Sequence, residues 1–165
     1  MSNMEMVNAL LSPGAPNLSL FSFPVLLALT YAPHFVAVSA ASYKRLGGHY
    51  WPNHMPRAFV TQLAARPVLE DRKAKLTKLE RFVLRCEGCQ QNNVENLPII
   101  LVALVSGGYL NRMAAWYMGL RFVYTILYMF TDDLFLSSLR SGAHYAQVYL
   151  YIQVMRKAAA KFVMG

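Results

Sequence analysis

Arg85-Cys-Glu-Gly-Cys-Gln-Gln-Asn-Asn-Val-Glu-Asn-Leu-Pro98 carries a dense polar cluster straight into the apolar run Ile99 to Val105. Read as a helix, the stretch places Arg85, Gly88, Asn92 and Glu95 at i, i+3, i+7 and i+10, along one face. A carboxylate and an amide carried on one stripe into a membrane are costly, so they are expected to face a protein interior or a binding site. The stretch thus bears on the fold class, an all-α integral membrane protein, and on where the chemistry belongs.

Composition agrees with that reading. Of the 165 residues 56% are apolar and only 15% charged, against about 45–50% and about 25% in soluble domains. The formal charge of +8 could suit nucleic acid, but ten of the sixteen Lys and Arg crowd between Lys44 and Arg85. A basic loop beside apolar segments marks a cytoplasmic loop by the positive-inside rule, not a groove-lining patch. Cys86 and Cys89, at i and i+3, are half of a zinc ribbon with no second pair and no histidine near them, so they read as small residues at helix contacts and no metal is expected.

Residues 1–19 hold Ser, Pro, Gly and Asn without a basic start or an early apolar core, and read as a flexible tail, not a cleavable signal. Leu20 to Tyr43 is apolar and uncharged, about the length that spans a bilayer, with Pro33 internal and a packed or backbone-bonded His34 after it. Lys44 and Arg45 stop the span, and residues 44–75 form the basic cytoplasmic loop. Within it Gly47 to Arg57 is rich in turns, and Ala58 to Lys78 is partly helical until Pro67 breaks it. A second helix is expected from Leu76 to Val105 and a lumenal turn from Ser106 to Asn111. Arg112 to Thr131 reads as a third span carrying Arg121. Asp132 to Leu139 reads as a loop, and a fourth segment opens at Arg140 and runs through Val154. A four-helix bundle with both termini lumenal follows.

Two of these helices then share a constellation. Glu95 lies about 15 Å deeper along its helix than Arg85, at 1.5 Å per residue. Arg121, Tyr124 and Tyr128 lie on one face of the third helix, at i, i+3 and i+7. Antiparallel pairing sets Arg121 at the depth of Glu95, where the two would neutralise each other. Tyr128 comes near Asn92 and Arg85, with Arg140 at the cytoplasmic mouth. Such a pocket suits a small zwitterion or polyanion. It has no triad, Gly-rich phosphate loop or metal set, so the reactive group is expected from a bound cofactor.

Arg85-x6-Asn92-x2-Glu95-x2-Pro98, then Arg121-x2-Tyr124-x3-Tyr128 and Leu139-Arg140-Ser141, resembles the MAPEG superfamily. These are membrane-associated proteins of eicosanoid and glutathione metabolism, among them microsomal glutathione transferases and the five-lipoxygenase-activating protein. The resemblance implies a homotrimer of four-helix subunits in the endoplasmic reticulum, with glutathione bound between subunits. Asn92, Glu95, Arg121, Tyr124 and Tyr128 would hold the tripeptide, with Arg85 beside them, and Arg140 would stabilise its thiolate as the catalytic residue. A guanidinium favours the anion of a thiol whose free pKa is about 8.5. Two departures stand out. The leukotriene-synthesising members place an arginine four residues before the Asn, where this chain has Gly88, and the stretch of eleven residues from Met129 to Leu139 is long. The implied activity is a glutathione-dependent transferase, peroxidase or isomerase acting on a lipophilic electrophile. The alternatives are a non-catalytic lipid-binding scaffold, or an enzyme of specialised metabolism that reuses the pocket without glutathione.

Overall fold

The computed structural model describes residues 4–5, 8–9, 22–46, 51–69, 76–107 and 111–164. It is all-helical, with no strand among the described residues. The helices are α1 (Ser22–Tyr43), α2 (Pro56–Leu69), α3 (Lys78–Gly107), α4 (Asn111–Phe130) and α5 (Leu134–Met164). Most of the expected tail, much of the loop at 47–50 and 70–75, and the tip of the turn at 108–110 lie outside the described residues.

Side-chain pairs fix how the long helices run. His34 meets Glu87 and Asn93 meets Leu29, so α1 and α3 are antiparallel. Arg85 reaches Met129 while Arg121 reaches Asn92, so α3 and α4 are antiparallel. Arg121 also meets Gln147, and Arg140 stacks on Tyr128, which makes α4 and α5 antiparallel in turn.

Two apolar clusters bracket a polar layer. One gathers Ala37, Ala41, Leu46, Trp51, Leu63, Val83, Cys86 and Met129. The other gathers Leu26, Ile100, Ala114, Tyr117 and Val154. Between them along the helices lie the buried Asn93, Arg121, Thr125 and Gln147. Outward, large apolar residues such as Phe35, Trp116, Phe122, Phe130, Phe135 and Tyr149 are exposed. An apolar surface of that extent needs lipid or a partner against it. Among the described residues only α1 is long and apolar enough to cross a membrane by composition, because α3, α4 and α5 each carry polar groups inward.

Three expectations are corrected. The stretch from Asp132 to Leu139 is not a loop: α5 begins at Leu134. Asp133 is its N-cap, its Oδ2 accepting the N–H groups of Phe135 at 2.9 Å and Leu136 at 3.3 Å, which satisfies two orphan donors of the first turn. The fourth segment therefore starts six residues before Arg140 and runs on to Met164. Pro67 does not break α2, which continues to Leu69. And His34 bonds a side chain, Glu87, not the backbone.

Pro33 explains one contact directly. A proline has no N–H, so inside a helix it leaves the carbonyl four residues earlier, here Leu29, without its donor. Asn93 Nδ2 on α3 donates to that carbonyl at 2.9 Å. A neighbouring helix repairing a proline's freed carbonyl is the usual solution where water is absent. We expect Asn93→Leu to lower thermal stability in detergent by about 1–3 kcal/mol, the cost of an unsatisfied buried acceptor. In a Pro33→Ala background, which restores the helical donor, the same substitution should cost much less.

At the start of α3, Thr77 and Glu80 form a capping box. Glu80 N donates to Thr77 Oγ1 at 3.2 Å, and Thr77 N donates to Glu80 Oε2 at 2.7 Å. Arg66 of α2 also donates to Glu80 Oε1, so one carboxylate caps α3 and docks α2. Burial by itself would raise the Glu80 carboxyl. The Thr77 N–H, the Arg66 guanidinium and the Thr77 hydroxyl together outweigh it and hold the group below its ordinary value. The stabilisation is therefore present above the unfolded carboxylate pKa of about 4.3 and is lost as pH falls through the lower folded value. Limited proteolysis should show α2 protected at neutral pH and released in acid, while Glu80→Gln releases it already at neutral pH.

Candidate functional site

Gly88 and Asn92 of α3 face Tyr128 of α4. Asn92 Nδ2 donates to Tyr128 Oη at 3.2 Å and to the Gly88 carbonyl at 2.9 Å. A Cβ on Gly88 would lie 3.0 Å from Tyr128 Oη, closer than side chains normally approach. The hydroxyl thus occupies the space that a side chain at 88 would need. The ring of Tyr124 lies 5.6 Å from that of Tyr128, at 62°.

Arg121 is buried at the centre, 4% exposed. Its Nη2 donates to the Asn92 carbonyl and its Nη1 to Gln147 Oε1, both at 3.0 Å. Its guanidinium lies 5.0 Å from the Tyr124 ring centroid. Gln147 is held in turn by the Ala143 carbonyl at 3.1 Å and that of Leu120 at 3.4 Å. Arg140, in the second turn of α5, stacks 4.4 Å over Tyr128 and donates to Ser137 Oγ at 3.0 Å. His144, one turn further on, faces Tyr124 with centroids 6.0 Å apart. Asn92, Arg121, Tyr124, Tyr128 and Arg140 therefore converge on one cluster.

Two of the residues expected here do not join it. Arg85 donates through Nε to the Met129 carbonyl at 3.1 Å and through Nη1 to Asp132 Oδ1 at 2.7 Å. Arg81 grips the other oxygen of Asp132 at 3.0 Å. The two arginines tie α3 to the C-terminal end of α4, where a cation also suits the helix dipole. Nor does Glu95 pair with Arg121: it is exposed and accepts from Gln91 Nε2 at 3.1 Å. The reason is rotational. Glu95 lies about 60° around the axis from Asn92 but only about 40° from Gln91, at 100° per residue. The amide of Gln147 and the carbonyl of Asn92 satisfy Arg121 in its place.

Sequence reasoning overlooked Gln147, His144, Asn93 and Thr125. Gln147 had a usable signal, an amide in an otherwise apolar stretch two turns after Arg140. Asn93 had a subtler one, because Pro33 announces a carbonyl in want of a donor. His144 and Thr125 become visible only once helix rotation is known.

An all-helical chain with an apolar exterior and a layer of arginine, tyrosine and amide groups across its middle is built as a membrane protein with an internal polar site. A family model described as the MAPEG family matches residues 20–156, and the chain belongs to that family. No curated protein and no solved structure matches it. Membership makes it a membrane protein of a family that includes glutathione transferases and related enzymes.

The contact at Gly88 makes a sharp prediction. Alanine is favoured over glycine in a helix by about 1 kcal/mol, yet the Cβ of Gly88→Ala would meet Tyr128 Oη at 3.0 Å and strain its bond with Asn92. The substitution should therefore leave the melting temperature nearly unchanged. In a Tyr128→Phe background, where the crowding oxygen is gone, Gly88→Ala should raise the melting temperature.

Proposed function

We propose that the chain is a membrane-embedded, glutathione-dependent transferase that adds the thiol of glutathione to a lipophilic electrophile. The observation that carries this reading is an excess of positive charge with no internal counter-ion. Arg121 lies over Tyr124 and Arg140 over Tyr128, the tyrosine one turn further along α4, and neither arginine forms an ion pair with a carboxylate among the described residues. A buried guanidinium is costly to leave without an anion, and an anionic tripeptide supplies one. The donors fit the same ligand: Asn92, Arg121, Tyr124 and Tyr128 line the cluster, and Glu95, an acceptor for Gln91 on the neighbouring face of α3, offers its carboxylate to an ammonium.

Glutathione, when bound, supplies the nucleophilic sulfur. Arg140 is the residue assigned to it: half-buried, fixed by Ser137, and held over a tyrosine ring, it lowers the cost of a thiolate beside it. Tyr128 Oη accepts from Asn92 and so keeps its own proton to donate toward that anion. Arg121 fixes the carbonyl of Asn92 and the amide of Gln147, which positions the donors of two helices. Arg85 acts as a clamp between α3 and α4 and not as a ligand contact. In this reading the long helices form one four-helix transmembrane domain, with residues 44–75 on the cytoplasmic side. Three copies assemble as a homotrimer in the endoplasmic reticulum, and the apolar exterior admits the electrophile from the bilayer.

A thermal-shift titration of the detergent-solubilised protein with glutathione and S-hexylglutathione tests the proposal. A ligand that binds only the folded state stabilises it by about 2.7 kcal/mol at a hundredfold excess over Kd. Arg140→Ala should keep the shift with S-hexylglutathione, lower turnover at least a hundredfold, and remove the ultraviolet absorption of bound thiolate. No shift at millimolar glutathione rejects the reading.

A further inference from the structure

The long helix α3 has a second polar face. Glu87 lies about 140° around its axis from Asn92, and there α1, α2 and α3 line an open cavity of about 590 Å³. That volume is in the range that holds a drug-sized ligand. Its titratable and charged lining groups are Tyr31 and His34 of α1, Arg57 of α2, and Glu87 and Glu95 of α3.

His34 is set up as a base. Its Nδ1 lies 2.8 Å from Glu87 Oε1, and Trp51 holds the ring edge-on, with centroids 5.8 Å apart at 82°. A carboxylate at Nδ1 assigns the proton to that nitrogen and leaves Nε2 as the acceptor. Among the described residues Nε2 has no hydrogen-bond partner. An imidazole oriented by a carboxylate and lining a cavity is the arrangement that general-base chemistry requires.

We propose that this cavity is a second, acid–base site, in which His34 takes the proton of a phenol. The O–H bond breaks, its electron pair stays on the ligand as phenolate, and the proton bonds to Nε2. Glu87 then faces an imidazolium, and Arg57, entering from the α2 wall, supplies positive charge for the phenolate. Glu95 lies eight residues beyond Glu87, about 12 Å along the helix, and is held by Gln91. The phenolate therefore forms beside the imidazolium, at the Glu87 end of the cavity. Val60, Val94 and Tyr31 receive the apolar body of the ligand. The site does not depend on the proposed use of glutathione.

The test titrates the full-length, detergent-solubilised protein with 4-nitrophenol below the midpoint of the free probe, following the yellow phenolate absorption. A saturable rise is expected. It should disappear in His34→Gln and need at least tenfold more probe in Glu87→Gln. Val94→Trp, at an exposed position on the cavity wall, should abolish the rise by filling the space while leaving the pair of His34 and Glu87 in place. Its melting curve shows that the fold is kept. Absence of a saturable rise overturns the proposal, as does a rise that survives in both His34→Gln and Val94→Trp. A signal kept in His34→Gln but lost in Arg140→Ala would place the phenol on the other face of α3 and overturn it equally.

Discussion

Arg121 is the constraint around which the helices are arranged. A guanidinium buried between apolar clusters must spend its donors on something, and no carboxylate among the described residues pairs with it. The chain answers with a backbone carbonyl from α3 and an amide from α5. A carbonyl has a fixed place on its helix, so this bond sets the depth of α3 against α4. The amide sets α5 against both. One side chain thereby fixes the register of three helices, and the same register brings Tyr124, Tyr128 and Arg140 together.

The absence of a side chain at position 88 follows from that register. With Asn92 and Tyr128 brought level, the phenol oxygen lies 3.0 Å from where a Cβ on residue 88 would be, a tight contact. Glycine is accepted in the middle of α3, at a cost of about 1 kcal/mol in helix propensity, because it lets two polar groups meet. A side chain at this position would crowd Tyr128 in its present place, so the departure from the resembled leukotriene-synthesising pattern goes with this tyrosine position.

Much of this was legible in the sequence. Apolar length located α1, and the polar stripe located α3 to within two residues at either end. The spacing of Arg121, Tyr124 and Tyr128 gave a common face that the structure keeps, and Asn92 lay at the matching depth. What failed was rotation and capping. A helical wheel cannot say which of two flanking grooves a residue at its margin will choose, and Glu95, at the edge of the stripe, turned toward Gln91. Arg85 was read by its neighbours on the stripe, whereas its length lets it reach the last carbonyls of α4 and Asp132. The start of α5 was misplaced because Asp132 to Leu139, opening on two aspartates, read as a loop. Only the bonds from Asp133 to two backbone N–H groups reveal it as a cap.

The rotation that removed Glu95 from the arginine cluster also divides the work of α3. One face meets α4 and α5 and is cationic, with Arg121 and Arg140 lacking anionic partners among the described residues. The other meets α1 and α2 and carries Glu87 and Glu95, with histidine and glutamine as their partners. In a chain with twice as many cations as acids, neither of these carboxylates forms an ion pair with an arginine among the described residues. Pairing Glu95 with Arg121 would have neutralised both faces at once and left neither with an unmet electrostatic demand. Keeping them apart leaves an anion-seeking surface on one side of a single helix and an oriented histidine on the other. Asn93, anchored between them to the carbonyl that Pro33 frees, holds α1 and α3 in the rotation that keeps the two faces separate.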